Sequence, residues 1–256
     1  DKVYSLHIKT PAEAHGVDLL FVCTKYTQLR DSLPDIETIT DKHTMVVSLL
    51  NGVDSEELIG QRIGMEHMIY SLIRIASHRI GNSIHFSLPK GYNGIYIGIP
   101  NQPACQDPRL AAIAEIFADT PVTLHLSDDI LLDMWDKFGL NVSRNLPQAI
   151  LGVGIGVYDD SIYADAIMRR MRHEVVLVAN AKGIPLTDEF KAAKWLPSQR
   201  YSTLQDLDAH RHTEIDMFSG ALIRMGKEVG VECPYNEMTY NLIKALEEKN
   251  DGKFDY

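Results

Sequence analysis

Val17-Asp18-Leu19-Leu20-Phe21-Val22-Cys23 is a short apolar run, and it returns in kind as Thr44-Met45-Val46-Val47-Ser48-Leu49-Leu50, closed by the turn pair Asn51-Gly52. Brief apolar runs bounded by turn residues read as buried strands. The polar stretch between them, Tyr26 to Leu33, reads as a helix, so the unit is strand–helix–strand in an α/β layer. A third run, His67 to Ile73, continues the pattern. Ser83-Ile84-His85-Phe86 and Gly94-Ile95-Tyr96-Ile97-Gly98 are expected to pair with each other as a hairpin. Pro108 to Ala118 then reads as a helix, Val122 to Leu126 as a last strand, and Asp1 to Tyr4, at the other end, as strand-like.

From Ser127 onward the texture becomes helical. Ser161 to Lys182 is amphipathic and is followed by Gly183 and Pro185, the order found just past a helix C-terminus. A helix from Glu214 to Glu228 is expected on the same grounds, ahead of Gly230 and Pro234. The fold class is therefore α/β plus all-α, with domains over residues 1–126 and 127–256.

A formal charge of -10, from 35 acidic against 25 basic residues, argues against phosphate backbones and anionic lipid, so neither nucleic acid nor membrane is an expected partner. Cys23, Cys105 and Cys233 are widely spaced and form no CxxC pair, which points to no zinc site, no disulfide framework and a cytoplasmic location. No run of eighteen apolar residues occurs. His210-x-His212 lacks a third ligand at matching spacing, so no metal is expected.

Trp135-Asp136-Lys137-Phe138-Gly139-Leu140-Asn141-Val142-Ser143-Arg144-Asn145-Leu146-Pro147 carries the chemistry. Lys137, Asn141 and Asn145 recur every four residues, which on an α-helix advances only about 40° each time. One amine and two carboxamides would thus share a stripe opposite Phe138, Leu140 and Val142. A solvated stripe is the plain reading. Two asparagines count against it, because Asn is a poorer helix residue than Glu, Gln or Lys. A partly desolvated lysine held by amides suits protonation of a carbonyl oxygen. Pro147 is expected to kink this helix or to start a new turn.

These residues resemble those of ketopantoate reductases, whose second domain opens on a W-x-K-x-x-x-N-x-x-x-N-P-like pattern; here Pro147 is displaced by one position. Ser202-Thr203-Leu204-Gln205-Asp206 with Thr213-Glu214-Ile215-Asp216 is similar to the family's S-M-L-Q-D and T-E-I-D, Val178 to Ile184 to its V-A-x-A-x-G-I, and Val231 to Asn236 to its G-V-x-x-P-x-N turn. The resemblance implies a Rossmann-like dinucleotide-binding domain followed by a helical domain of the 6-phosphogluconate dehydrogenase-like type. It implies NADPH-dependent reduction of 2-dehydropantoate to pantoate, a step toward pantothenate and coenzyme A, with a homodimer as one expected assembly. Lys137 would be the catalytic acid and Glu214 would bond the substrate hydroxyl. Asn141, Asn145 and Ser202 would bind substrate. Read alone, Glu214 is a carboxylate at a helix N-terminus and Ser202 a turn or cap residue.

On the nucleotide side the resemblance assigns Lys25, after the first strand, and Asn51 with Gly52, after the second, to the cofactor. Taken alone, these are a solvated lysine and a turn dipeptide. No G-x-G-x-x-G follows a strand; Gly152-Val153-Gly154-Ile155-Gly156 lies in the helical half and is rejected as a phosphate loop. The phosphate-cradling unit, and the start of a truncated Rossmann-like domain with it, is expected ahead of Asp1. Gly154-Ile155-Gly156 stands where the family has a P-N-G-like piece, and Ser219-Gly220 where it has N-G. These departures leave open a paralogue acting on another 2-oxo or 3-oxo acid, and the absence of G-x-G-x-x-G from these residues leaves open a non-catalytic nucleotide-binding protein.

Overall fold

The computed structural model describes residues 7–75, 77–80, 83–86, 93–190, 196–254 and 256, so the strand-like stretch Asp1 to Tyr4 lies outside the described residues. The chain divides into two compact units, Asp1–Ile130 and Leu131–Tyr256.

The first unit is an α/β layer. In chain order it contains β1 (Leu19–Val22), α1 (Tyr26–Ile39), β2 (Met45–Ser48), α2 (Ser55–Ile63), β3 (Met68–Arg74), β4 (Ser77–Ile80), β5 (Ser83–Phe86), β6 (Gly94–Gly98), α3 (Pro108–Phe117) and β7 (Leu124–Leu126). Strand order in the main sheet is β1-β2-β3-β6-β7. β1, β2 and β3 run parallel, as the two crossover helices α1 and α2 require. β6 is antiparallel to β3 and parallel to β7. Val47, Ile69, Ile95, Ile97, Leu110 and Ile113 form the buried core between this sheet and α3.

The expected hairpin of residues 83–86 with 94–98 is not what forms. β5 pairs with β4, Ile80 opposite Ser83, as a separate two-stranded ribbon. Only Gly81-Asn82 separates the paired ends, and a two-residue Gly-Asn link is a hairpin signal in its own right. β6 is buried at Gly94, Ile95, Ile97 and Gly98, so it needs partners on both sides, which β3 and β7 supply.

The second unit is helical: α4 (Ile130–Leu140), a π turn (Asn141–Asn145), α5 (Leu146–Leu151), α6 (Val157–Asp160), α7 (Ile162–Ala181), α8 (Ser202–Asp208), α9 (Ser219–Val229) and α10 (Pro234–Asn250). Ser161 caps α7 by accepting the Ala164 amide at 3.3 Å. Glu174, buried on α7, accepts the amides of Tyr235 at 2.8 Å and Asn236 at 3.0 Å, satisfying donors in the first turn of α10 from another helix.

Two helix expectations change. The helix expected from Glu214 starts at Ser219, because residues 214–218 form a turn in which the Met217 and Phe218 amides both donate to the Glu214 carbonyl, at 3.0 and 3.2 Å. That turn buries Ile215, Met217 and Phe218 together, and Phe218 leaves helical geometry at φ -87, ψ -98. Glu214 is thus not a helix N-terminal carboxylate. Likewise Lys137, Asn141 and Asn145 do not share one α-helix, since α4 gives way to the π turn. The insertion places Pro147 in the first turn of α5, where its missing N–H costs least. Ser143 Oγ donates to the Gly139 carbonyl at 2.6 Å on the way.

Candidate active site

In the first unit the parallel register sets Val22 opposite Ser48. Lys25 and Asn51 each follow three residues later, so both emerge at the same level of the sheet, at strand C-termini, where open α/β sheets bind ligands. Lys25 is exposed and occupies the N-cap position of α1; Asn51 is half-buried. Gly52 has φ 97, a left-handed conformation that a side chain would strain, so the turn keeps a bare backbone surface. The two loops are joined, because the Tyr26 hydroxyl donates to Asp54 Oδ2 at 2.6 Å. A bare glycine turn at the end of one parallel strand, with a lysine after the neighbouring strand, fits the nicotinamide end of a dinucleotide.

Beneath that turn lies a buried polar cluster to which the sequence reading gave no role. Ser48 and Ser55 Oγ are 2.8 Å apart, Ser55 Oγ donates to Glu56 Oε2 at 2.9 Å, and Ser71 Oγ donates to the Ser48 carbonyl. Burial pushes the Glu56 carboxyl up to about 7 against hydrogen bonds from its own amide, Ser55 and the Ser71 amide.

In the helical unit Lys137 is half-buried in the last turn of α4, beside Trp135 and Phe138, which are buried and meet edge to face at 5.7 Å. Its neighbour Asp136 pairs with Arg172 Nη2 at 3.2 Å. Arg172 is only 1% exposed and also donates to the carbonyls of Asp136, Thr187 and Glu189, so the guanidinium fastens α4 to α7. Gly139 leaves room for it, since a Cβ there would overlap Arg172 Nη1.

Asn141 is half-buried, whereas Asn145 is 3% exposed and belongs to no solvated stripe. Its Nδ2 donates to Ser202 Oγ at 3.3 Å and its Oδ1 accepts the Thr203 amide at 3.3 Å. Asn145 therefore does for α8, from across the unit, what an N-cap side chain does locally. Ser202 is the first residue of α8, not its cap, and is exposed. With Asn145 donating to its oxygen, the Ser202 proton points elsewhere. Gln148, fully buried, completes the clamp: Nε2 donates to the Gln199 carbonyl and Oε1 accepts the Tyr201 amide, both at 2.8 Å. The i, i+3 spacing of Asn145 and Gln148 was the available signal.

Glu214 is half-buried and is held through its neighbour, because Thr213 donates its amide and its hydroxyl to buried Glu247 Oε1, each at 2.7 Å. Gly154 and Gly156 serve packing: Ile155 and Gly156 donate to the Gln199 and Pro197 carbonyls at 3.0 and 2.9 Å, and a Cβ on Gly154 would overlap the Pro197 oxygen. Ser219 is buried and bonds Asn236 at 2.9 Å. His212 lies 3.0 Å from Asp251 and 3.7 Å from Glu247.

Two family models match this chain, one described as "Ketopantoate reductase PanE/ApbA" over residues 2–102 and one as "Ketopantoate reductase PanE/ApbA C terminal" over residues 129–247. A 2-dehydropantoate 2-reductase of Streptococcus pyogenes serotype M3 is 29% identical over 260 residues, spanning 96% of this chain and 82% of its own. One from Caulobacter vibrioides is 27% identical over 244 residues, covering 92% and 80%. Among solved structures, a PanE/ApbA family ketopantoate reductase from Ralstonia eutropha JMP134 superposes with a TM-score of 0.79 at 25% identity, covering 94% of this chain and 80% of that one. A D-mandelate dehydrogenase in complex with NADH does so with the same TM-score of 0.79 at 26% identity, covering 91% and 80%.

Proposed function

The chain belongs to the ketopantoate reductase family, and on that premise we propose that it reduces 2-dehydropantoate to pantoate with NADPH, serving pantothenate synthesis. The observation that carries the reading is the Asn145–Ser202 pair, 57 residues apart in sequence, which joins the two segments that bear the family's motifs. When bound, the nicotinamide supplies the hydride. Lys137 protonates the carbonyl oxygen as charge develops there, and its half-buried position strengthens that interaction relative to water. Ser202, its oxygen already occupied by Asn145, donates its proton to the substrate carboxylate. Asn141 orients the lysine and the substrate, and Glu214 accepts from the substrate hydroxyl. Lys25, Asn51 and Gly52 hold the nicotinamide end.

A second reading keeps the chemistry and changes the acid. A D-mandelate dehydrogenase solved with NADH is as similar in fold as the ketopantoate reductase neighbour, and the second reading takes from it an aromatic 2-oxo acid and NADH. A panel of 2-oxo acids assayed with NADPH and NADH in the full-length protein separates the two. The proposal expects ketopantoate with NADPH to have the highest kcat/KM; an aromatic 2-oxo acid ranking first replaces it with the second reading.

A further inference from the structure

We propose that Glu56 is the positioning residue of the Asn51–Gly52 turn: a side chain sealed beneath the turn that ties its foot on α2 to β3 and, through two serine hydroxyls, to the end of β2. The proposal rests on the reading of Asn51 and Gly52 as cofactor-binding. Glu56 is 1% exposed, in the first turn of α2. It receives the Ser55 hydroxyl at 2.9 Å and the Ser71 amide on β3. Ser55 in turn meets Ser48 at 2.8 Å, so the chain Glu56–Ser55–Ser48 joins both ends of segment 49–54, which contains the turn. Ser71 closes the ring by donating to the Ser48 carbonyl. The two hydroxyls can reverse: they run toward Glu56 when it is ionised, and when it is protonated its own O–H donates to Ser55, which then donates to Ser48. The clamp therefore holds in either state and needs shape and hydrogen bonding, not charge.

Hydrogen bonds from its own amide, Ser55 and the Ser71 amide favour the ionised form of Glu56, but the titratable groups around it do not. From α2 there is Asp54, whose charge opposes it; from β3 there is Tyr70, itself pushed up to about 12 by burial and by Glu57 and Glu56; from α1, Tyr26 reaches Asp54; β2 contributes Ser48. With its folded pKa raised to about 7 from 4.5, the group's contribution is fully present below pH 4.5 and is lost as pH rises through 7.

Glu56→Ala and Glu56→Gln in the full-length protein test this. Glu56→Ala is expected to speed amide exchange across residues 49–55 and to raise the NADPH dissociation constant, read by nicotinamide fluorescence, about tenfold, the worth of one hydrogen bond. Glu56→Gln, which can both accept from Ser71 and donate to Ser55, restores both. It also removes the pH response: between pH 4.5 and 7 the unfolding constant of wild type rises relative to Glu56→Gln by up to about tenfold per pH unit. Unchanged exchange over 49–55 in Glu56→Ala, or a Glu56→Gln as damaged as Glu56→Ala, overturns the clamp. If Glu56→Ala does not fold, Ser55→Ala cuts the same chain and must speed the same exchange. Asn51→Ala separates the two claims: an unchanged NADPH affinity there overturns the cofactor reading, while the exchange result still decides the clamp.

Discussion

Asn145 and Ser202 meet through the Asn145 carboxamide, which gives a proton to the serine oxygen at 3.3 Å while taking the amide of the next residue, Thr203, at 3.3 Å. Asn145→Ala is expected to cost about 1–3 kcal/mol, because it strands a buried amide at the start of α8. Asn145→Asp should cost less, since a carboxylate accepts that amide and suits a helix N-terminus. It also draws the Ser202 proton toward itself. Thermal unfolding should therefore rank wild type, Asp, Ala, while the substrate KM rises in Asp. A wild-type KM in Asn145→Asp would mean that Ser202 donates nothing to the substrate.

β1, β2 and β3 were readable in the sequence because each lies inside a short apolar run, residues 17–23, 44–50 and 67–73, whereas β4, Ser77-His78-Arg79-Ile80, carries no such run and was not expected. The pairing of β6 was not, since it depends on β3 and β7, distant in sequence, while a local Gly-Asn link claimed β5. Lys137 stood out by residue type. The true direction of Asn145 did not, because the π turn slips the four-residue spacing, and nothing local announces a π turn beyond Pro147 itself. Arg172 and Glu56 were illegible for a common reason: a charged side chain looks like surface until its partners, Asp136 in one case and Ser71 in the other, are folded around it.

Arg172 and Asp136 form a buried pair next to Lys137. Arg172→Met takes the guanidinium away from buried Asp136 and breaks a buried pair, which costs about 3–5 kcal/mol. Adding Asp136→Asn should recover part of that loss. Urea unfolding of the single and double variants measures it, and additive losses would show that the two side chains do not act as a pair.

The three glycines of residues 152–156 should differ in tolerance. Gly154→Ala drives a methyl into the Pro197 carbonyl and is expected to cost about 1–3 kcal/mol. Gly152 has φ 70 and open space around its Cβ position, so Gly152→Asn, a residue that accepts left-handed backbone, should stay within about 1 kcal/mol. Equal losses at both positions would contradict the packing role of Gly154.

Lys137→Ala tests the chemical step itself. In the proposed mechanism the lysine interacts most strongly when negative charge has built up on the substrate oxygen, so its loss should fall mainly on kcat. General acid catalysis contributes about 10²- to 10⁴-fold, and the drop should lie in that range. NADPH affinity should hold, because the residues assigned to the cofactor, Lys25, Asn51 and Gly52, are untouched. Stability should hold to within about 1 kcal/mol, since Lys137 is half-buried in the last turn of α4 and the apolar contacts of that helix are made by Trp135 and Phe138. Lys137→Arg keeps the charge but exchanges a compact amine for a planar guanidinium that does not give up its proton, so it should recover little of the rate. Near-normal turnover in a folded Lys137→Ala would remove the lysine from the mechanism and leave its position on α4 without a chemical role.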